Sequence, residues 1–106
     1  MGLTFAEKKK RLEAAGWKVG TVQELLNLTD EEVEYIDFKI ALSKGLKDIR
    51  KKQKLTQIQT AGILKTSQSR LAKMENGDPS VSTDLLLKAL FALGLNKKNV
   101  LQLLYK

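Results

Sequence analysis

Apolar side chains recur every three or four positions over most of the chain and almost nowhere alternate with polar ones in twos, so the pattern predicts helices and no strands. The clearest run is Val33, Ile36, Ile40, Leu42, Leu46 and Ile49. It follows Thr29, Asp30, Glu31 and Glu32, a hydroxyl and three carboxylates suited to the free amides and positive end of a helix. One helix to about Lys52 is expected, either continuous or broken near residues 43–45. Residues 55–64 and 67–76 then read as two short helices and residues 77–80 as a loop. Ser80 or Ser82 can cap the next helix, whose Leu85, Leu86, Leu87, Ala89, Leu90, Phe91 and Leu93 are apolar almost all round, which places it at the buried centre. Gly94 closes it, and a terminal helix carries Val100, Leu101, Leu103 and Leu104 on one side. Ahead of Thr29 a helix is expected from Thr4, with Glu7 as capping partner, to Gly16. An extended connector over 17–20 and a turn or two of helix over 21–26 follow. The fold class is all-α, with one core and an N-terminal appendage.

Composition narrows what such a chain can do. Its 106 residues suffice for one core, and 42% hydrophobic against 29% charged residues is the balance of a folded domain. Cysteine and histidine are both absent, which removes disulfides, thiol nucleophiles, the usual soft metal ligands and the commonest general base. Carboxylates such as Glu31 and Glu34 sit at a helix start without a companion base. The expectation is therefore no enzyme, no cofactor and no metal. No apolar run approaches the roughly 20 residues that span a bilayer, and residues 1–11 lack the apolar core of a signal peptide. A cytoplasmic, nucleoid-associated protein without membrane contact is the simplest expectation.

Charge changes the picture further, through its distribution rather than its total of +7. From Glu24 to Asp37 there are six acidic residues and no basic one. From Lys39 to Lys73 there are ten basic residues and one acid, Asp48, a net of +9. A solvated lysine face would give the same count, but so dense a window is the footprint of a surface that meets phosphates.

That window contains two short helices meeting across a tight turn, residues 55–77. Ala61 is small enough for a close crossing, while Leu64, Leu71 and Met74 can lock the pair onto the core. Steps of 100° along the second helix put Leu71 and Met74 on one side and Ser69, Ala72, Lys73 and Asn76 on the other, with Gln68 at the edge. The outer face is polar, compact and free of carboxylates. Such a face suits the major groove, where Gln pairs with adenine, Lys reaches guanine acceptors and Ser serves either. Ala72 adds no bulk at its centre. Arg70 falls toward the flank, in reach of a base or a phosphate. The candidate base readers are thus Gln68, Ser69, Ala72, Lys73 and Arg70. Expected phosphate contacts are Gln57, with the free amides at its helix start, Lys65, Thr66 and Ser67 of the turn, Asn76 and Lys54. Singly, these are ordinary exposed helix residues; their spacing within the basic window carries the reading.

Thr56-Gln57, Ala61, Leu64, Ser67-Gln68-Ser69, Leu71, Met74-Glu75-Asn76-Gly77 and Pro79-Ser80 together resemble the pattern of the XRE family, the lambda-repressor-like helix-turn-helix regulators. The likeness covers roughly residues 39–95. It implies a five-helix bundle, a two-fold dimer on an operator and a recognition helix over 67–76. The division that follows is an N-terminal helical extension over 1–38 and a DNA-binding domain over 39–106. Two positions depart from the pattern: Lys65 stands where the family usually has glycine, and Thr66 where an apolar residue usually follows. A non-glycine residue with positive φ there costs free energy, and its ammonium adds a phosphate contact.

One recognition helix reads about four base pairs, so a homodimer on two half-sites of double-stranded DNA is expected. Its interface would use the terminal helix around Val100, Leu101 and Leu104 or the helix over 33–42, unless these are plain core. The extension resembles that of small toxin-antitoxin regulators, which implies an alternative to a simple repressor. In that alternative an antitoxin binds a basic toxin through Phe5, Trp17 and the acidic stretch.

Overall fold

Thr29 opens regular structure among the described residues, 28–105 of the computed structural model. Its hydroxyl accepts the amide of Glu32 at 3.2 Å, with Asp30, Glu31 and Glu32 in the first turn as the sequence implied. The helix it starts, α1 (Asp30–Lys52), ends with Arg50, Lys51 and Lys52, so each end carries the charge its dipole favours. Of the two alternatives for residues 43–45, the unbroken helix is the one observed. Gly45 is buried, and a Cβ there would stand 2.9 Å from Leu103 Cδ1, so the glycine admits the last helix instead of ending the first.

Four short helices follow: α2 (Gln57–Leu64), α3 (Gln68–Glu75), α4 (Thr83–Ala92) and α5 (Lys97–Leu104). Each begins on a side chain that accepts a backbone amide three residues on. Thr56 forms a reciprocal capping box with Gln59, as Asn96 does with Asn99, while Ser67 and Ser82 cap alone. The described residues are all helical, without strands. The expectations placed on residues 4–16, 17–20 and 21–26 lie outside the described residues.

Leu42 and Leu46 of α1, Leu71 and Met74 of α3, and Leu86 and Leu90 of α4 form the centre of the core, each under 2% exposed. Each such side chain gains about 1.5–3 kcal/mol on leaving water. Ala61 joins from α2 and Val100 from α5. The expectation that α4 is buried almost all round needs correction: Leu86 and Ala89 are inside, but Phe91 is 44% exposed. A ten-residue helix at the edge of so small a bundle has neighbours, chiefly α1 and α2, on part of its circumference only. Val33 and Ile36 form a smaller cluster with Leu28 and Ile40 at the N-terminal end of α1. Val33 and Val100 are therefore core, and neither is exposed for contact with another chain.

Candidate nucleic-acid interface

The turn between α2 and α3 is built from three residues. Lys65 takes the left-handed conformation, φ 56° and ψ 45°, as the sequence led one to expect. Its amide donates to Gly62 O, and that of Thr66 to Ala61 O at 2.9 Å, a Schellman-type closure that satisfies the last carbonyls of α2. Ser67 then starts α3, its Oγ accepting the amide of Arg70 at 3.1 Å. A left-handed lysine costs about 1–2 kcal/mol, so the turn holds its shape against local preference.

The rotation of α3 about its axis is set from below. Leu71, Met74 and Glu75 are buried, while Gln68, Ser69, Arg70, Lys73 and Asn76 are exposed and Ala72 is half-buried. Glu75 is the one acid of α3, and it faces inward. Arg50 Nε donates to Glu75 Oε2 at 2.6 Å and Nη2 to Oε1 at 3.0 Å, while Nη1 reaches Leu55 O at 3.0 Å. Gln57 Nε2 adds a bond to Glu75 Oε1 at 3.2 Å. One carboxylate thus ties α1, α2 and α3 together, and the outer face of α3 keeps no negative charge. Bidentate, charge-assisted pairs of this kind are the strongest and most orienting hydrogen bonds available to a fold.

Beyond α3 the chain turns at Gly77, φ +72°, where a Cβ would lie 3.6 Å from Ile40 Cγ1. Asp78 accepts from Ser80 N at 2.9 Å and Ser80 Oγ at 2.7 Å. These two bonds, with weaker attraction from Lys73 and Lys39, hold its carboxyl below the ordinary carboxylate range. Ser80 and Val81 thereby stand opposite Ser67, Ser69, Arg70 and Lys73 across an open groove beside α3.

Residues 46–97 match the family model described as Helix-turn-helix. The segment is a lambda-repressor-like helix-turn-helix domain. No curated protein and no solved structure matches the chain. Domains of this family are DNA-binding regulators. Among the described residues no helix is long and apolar enough to cross a membrane.

In this helix-turn-helix domain the residues expected to read bases, Gln68, Ser69, Arg70, Ala72 and Lys73, all lie on α3, and Ser69, Arg70 and Lys73 line one groove. Those expected to hold phosphates are spread around it. Lys65, Thr66 and Ser67 make the turn, and Lys54, φ 59°, makes the connection between α1 and α2. Asn76 ends α3. Gln57 opens α2, where the amides of residues 57 and 58 precede the first intrahelical bonds, but its side-chain amide is turned to Glu75. Ser67 and Ser69 have their hydroxyls 3.2 Å apart.

Two cations of the basic window point inward. Lys39 is 5% exposed and donates from Nζ to Pro79 O at 3.0 Å, pinning the loop after α3. Arg50 belongs to the ion pair. Counting charges along the chain assigns both to the surface, because a count has no direction. Glu75 was legible only as part of the Met74–Gly77 pattern; its partner Arg50 lies 25 positions away, and no local signal joins them.

Proposed function

We propose that the protein is a sequence-specific transcriptional regulator that acts as a repressor, binding a two-fold symmetric operator as a dimer and reading bases with Gln68, Ser69, Ala72, Lys73 and Arg70. The observation that carries this reading is the outer face of α3, where Gln68, Ser69, Arg70 and Lys73 are exposed while the helix's acid is sequestered on Arg50. Phosphate contacts come from Lys54, Gln57, Lys65, Thr66, Ser67 and Asn76. They hold the register of α3 in the major groove, and the bases then decide the site. Repression follows by occlusion of promoter DNA, without chemistry of its own, in a protein that acts at the nucleoid. Leu101 and Tyr105, 55% and 89% exposed, support α5 as the surface where two copies meet.

Selection of bound genomic fragments, followed by affinity measurements across a salt series, tests the reading. A two-fold symmetric sequence and a steep fall of affinity with salt are expected. Gln68→Ala and Lys73→Ala should each cost about 1–3 kcal/mol on that sequence and relax the choice of base. Variants that discriminate among sequences as the parent does would remove α3 from the reading role.

A second reading makes the same domain the autorepressing half of an antitoxin. It is favoured by the N-terminal half of α1, where Tyr35 and Phe38 are exposed beside the exposed carboxylates of Glu31 and Glu34. An acidic face with aromatic anchors suits a basic protein partner, and the extension over 1–38 would supply it. Coexpression with the neighbouring gene decides: a stoichiometric complex lost on deleting residues 1–28 supports the antitoxin, and a chain that purifies without a partner counts against it.

A further inference from the structure

Lys44, Lys47 and Lys51 of α1 take no part in the reading face of α3. Their spacing aligns them on one side of the helix. That side borders an open groove whose far wall is Asn76 and Gly77, where α3 ends. Lys44 and Lys51 are exposed and Lys47 is half-buried, and none of the three has an ion-pair partner among the described residues. Like charges at this spacing repel, and Asp48 alone on this side of α1 offsets part of that repulsion.

A second observation points the same way. Ser43 lies in the lining of this groove and is 2% exposed, yet its Oγ has no hydrogen-bond partner. A buried hydroxyl left alone is costly and calls for an explanation. The carboxylate of Glu75 also borders the groove but is spent on Arg50 and Gln57, which leaves Asp48 as the opposing charge against three lysines. An occupant rich in acceptor oxygens and negative charge fits both features.

The position of the groove selects among such occupants. It opens directly from Asn76, the residue that ends the reading helix, so a duplex seated on α3 carries its sugar-phosphate strand past this edge. We infer that the groove between α1 and the C-terminal end of α3 seats backbone phosphates of the bound duplex, with Lys44, Lys47 and Lys51 as their cationic partners. This second contact is blind to sequence and extends the footprint beyond the helix-turn-helix. It rests on the DNA-binding reading above.

The test uses the full chain and a salt series of about 50 to 200 mM, over which phosphate contacts dominate the change in affinity. Three proteins are compared: the parent, the variant Lys44→Gln/Lys47→Gln/Lys51→Gln, and the control Lys52→Gln/Lys88→Gln, which removes exposed charge outside the groove, at the end of α1 and on α4. Each phosphate contact contributes about 0.9 to the logarithmic salt slope, so the groove variant should be shallower by about 2 to 3 and the control by less than about 1. Over a fourfold rise in salt that difference amounts to about forty-fold in affinity. The loss should be equal on the selected sequence and on an unrelated duplex. Lys51→Gln alone, on the exposed end of α1, should lower the slope by about 0.9 and serves if the triple variant folds poorly. Equal slopes for the groove variant and the control overturn the inference and leave the reading face intact. Loss confined to the selected sequence also overturns it, because the lysines would then act through α3. A parent without duplex affinity overturns both.

Discussion

The helices α3 and α5 are alike in length and both begin on a polar cap, yet α1 holds them by opposite means. For α3 the anchor is the Arg50–Glu75 ion pair, with side chains 11% and 1% exposed. For α5 it is the apolar approach of Leu103 to Gly45, with Val100 set into the core. Apolar contact is non-directional and tolerates small rotations, whereas a bidentate guanidinium–carboxylate pair fixes one. A helix that presents side chains to base edges needs the second kind of anchor. A helix that presents grease does not, and the residues left outside agree: Arg70 and Lys73 on α3, Leu101 on α5.

The sharpest way to break this comparison is to remove the directional anchor. Glu75→Ala leaves a largely buried guanidinium with only Leu55 O, and should cost about 3–5 kcal/mol in urea unfolding, a large part of a small domain's stability. A loss below about 1 kcal/mol would mean that α3 is held by its leucine and methionine alone.

The matching change at the other anchor is Gly45→Val, which forces branched methyls toward Leu103 and should cost about 1–3 kcal/mol. Gly45→Ala sharpens the point: the neighbour is the mobile end of a leucine, and alanine favours the helix by about 1 kcal/mol, so stability should stay within about 1 kcal/mol of the parent. Equal, large losses from both variants would show that α5 is as tightly oriented as α3.

The turn that aims α3 can be probed at Lys65. Lys65→Gly relieves the left-handed strain at the expense of unfolded-state entropy, and thermal unfolding should register a net change between zero and about 1 kcal/mol stabilising. DNA affinity should fall in the same variant through the lost ammonium, which separates the residue's two effects.

The smallest effect is expected at Asp78, in the loop beyond α3. Its folded pKa is depressed by the bonds from Ser80, so its contribution to stability is complete above the ordinary carboxylate pKa and fades as pH falls through the lowered value. An NMR titration should find its carboxyl ionising below the ordinary range and returning toward it in Ser80→Ala. An unchanged midpoint in that variant would assign the depression to the backbone amide of residue 80 and the lysines instead of the hydroxyl.

Most of α3 was legible from the chain alone. Leu71 and Met74 turned inward and Gln68 and Lys73 outward as the helical period required, and Lys65 adopted the left-handed turn that the Lys-for-Gly departure implied. Ser82 rather than Ser80 proved to be the cap of α4, because Ser80 is engaged with Asp78. Lys39 and Phe91 were misplaced for one reason. Which side of a helix is covered depends on neighbours that periodicity does not name, so a lysine went inside to Pro79 O and a phenylalanine stayed out.

By itself the sequence determined what is local: where helices start, which hydroxyl or amide caps them, and which residues share a face. These rest on hydrogen bonds and side-chain contacts three or four positions apart. The tertiary structure decided the rest. It turned Arg50 and Lys39 away from the basic surface, joined Gln57 to Glu75, and left Lys44, Lys47 and Lys51 together beside the end of α3. Those outcomes depend on distances between segments far apart in the chain, which only the packing of five helices on one core can set.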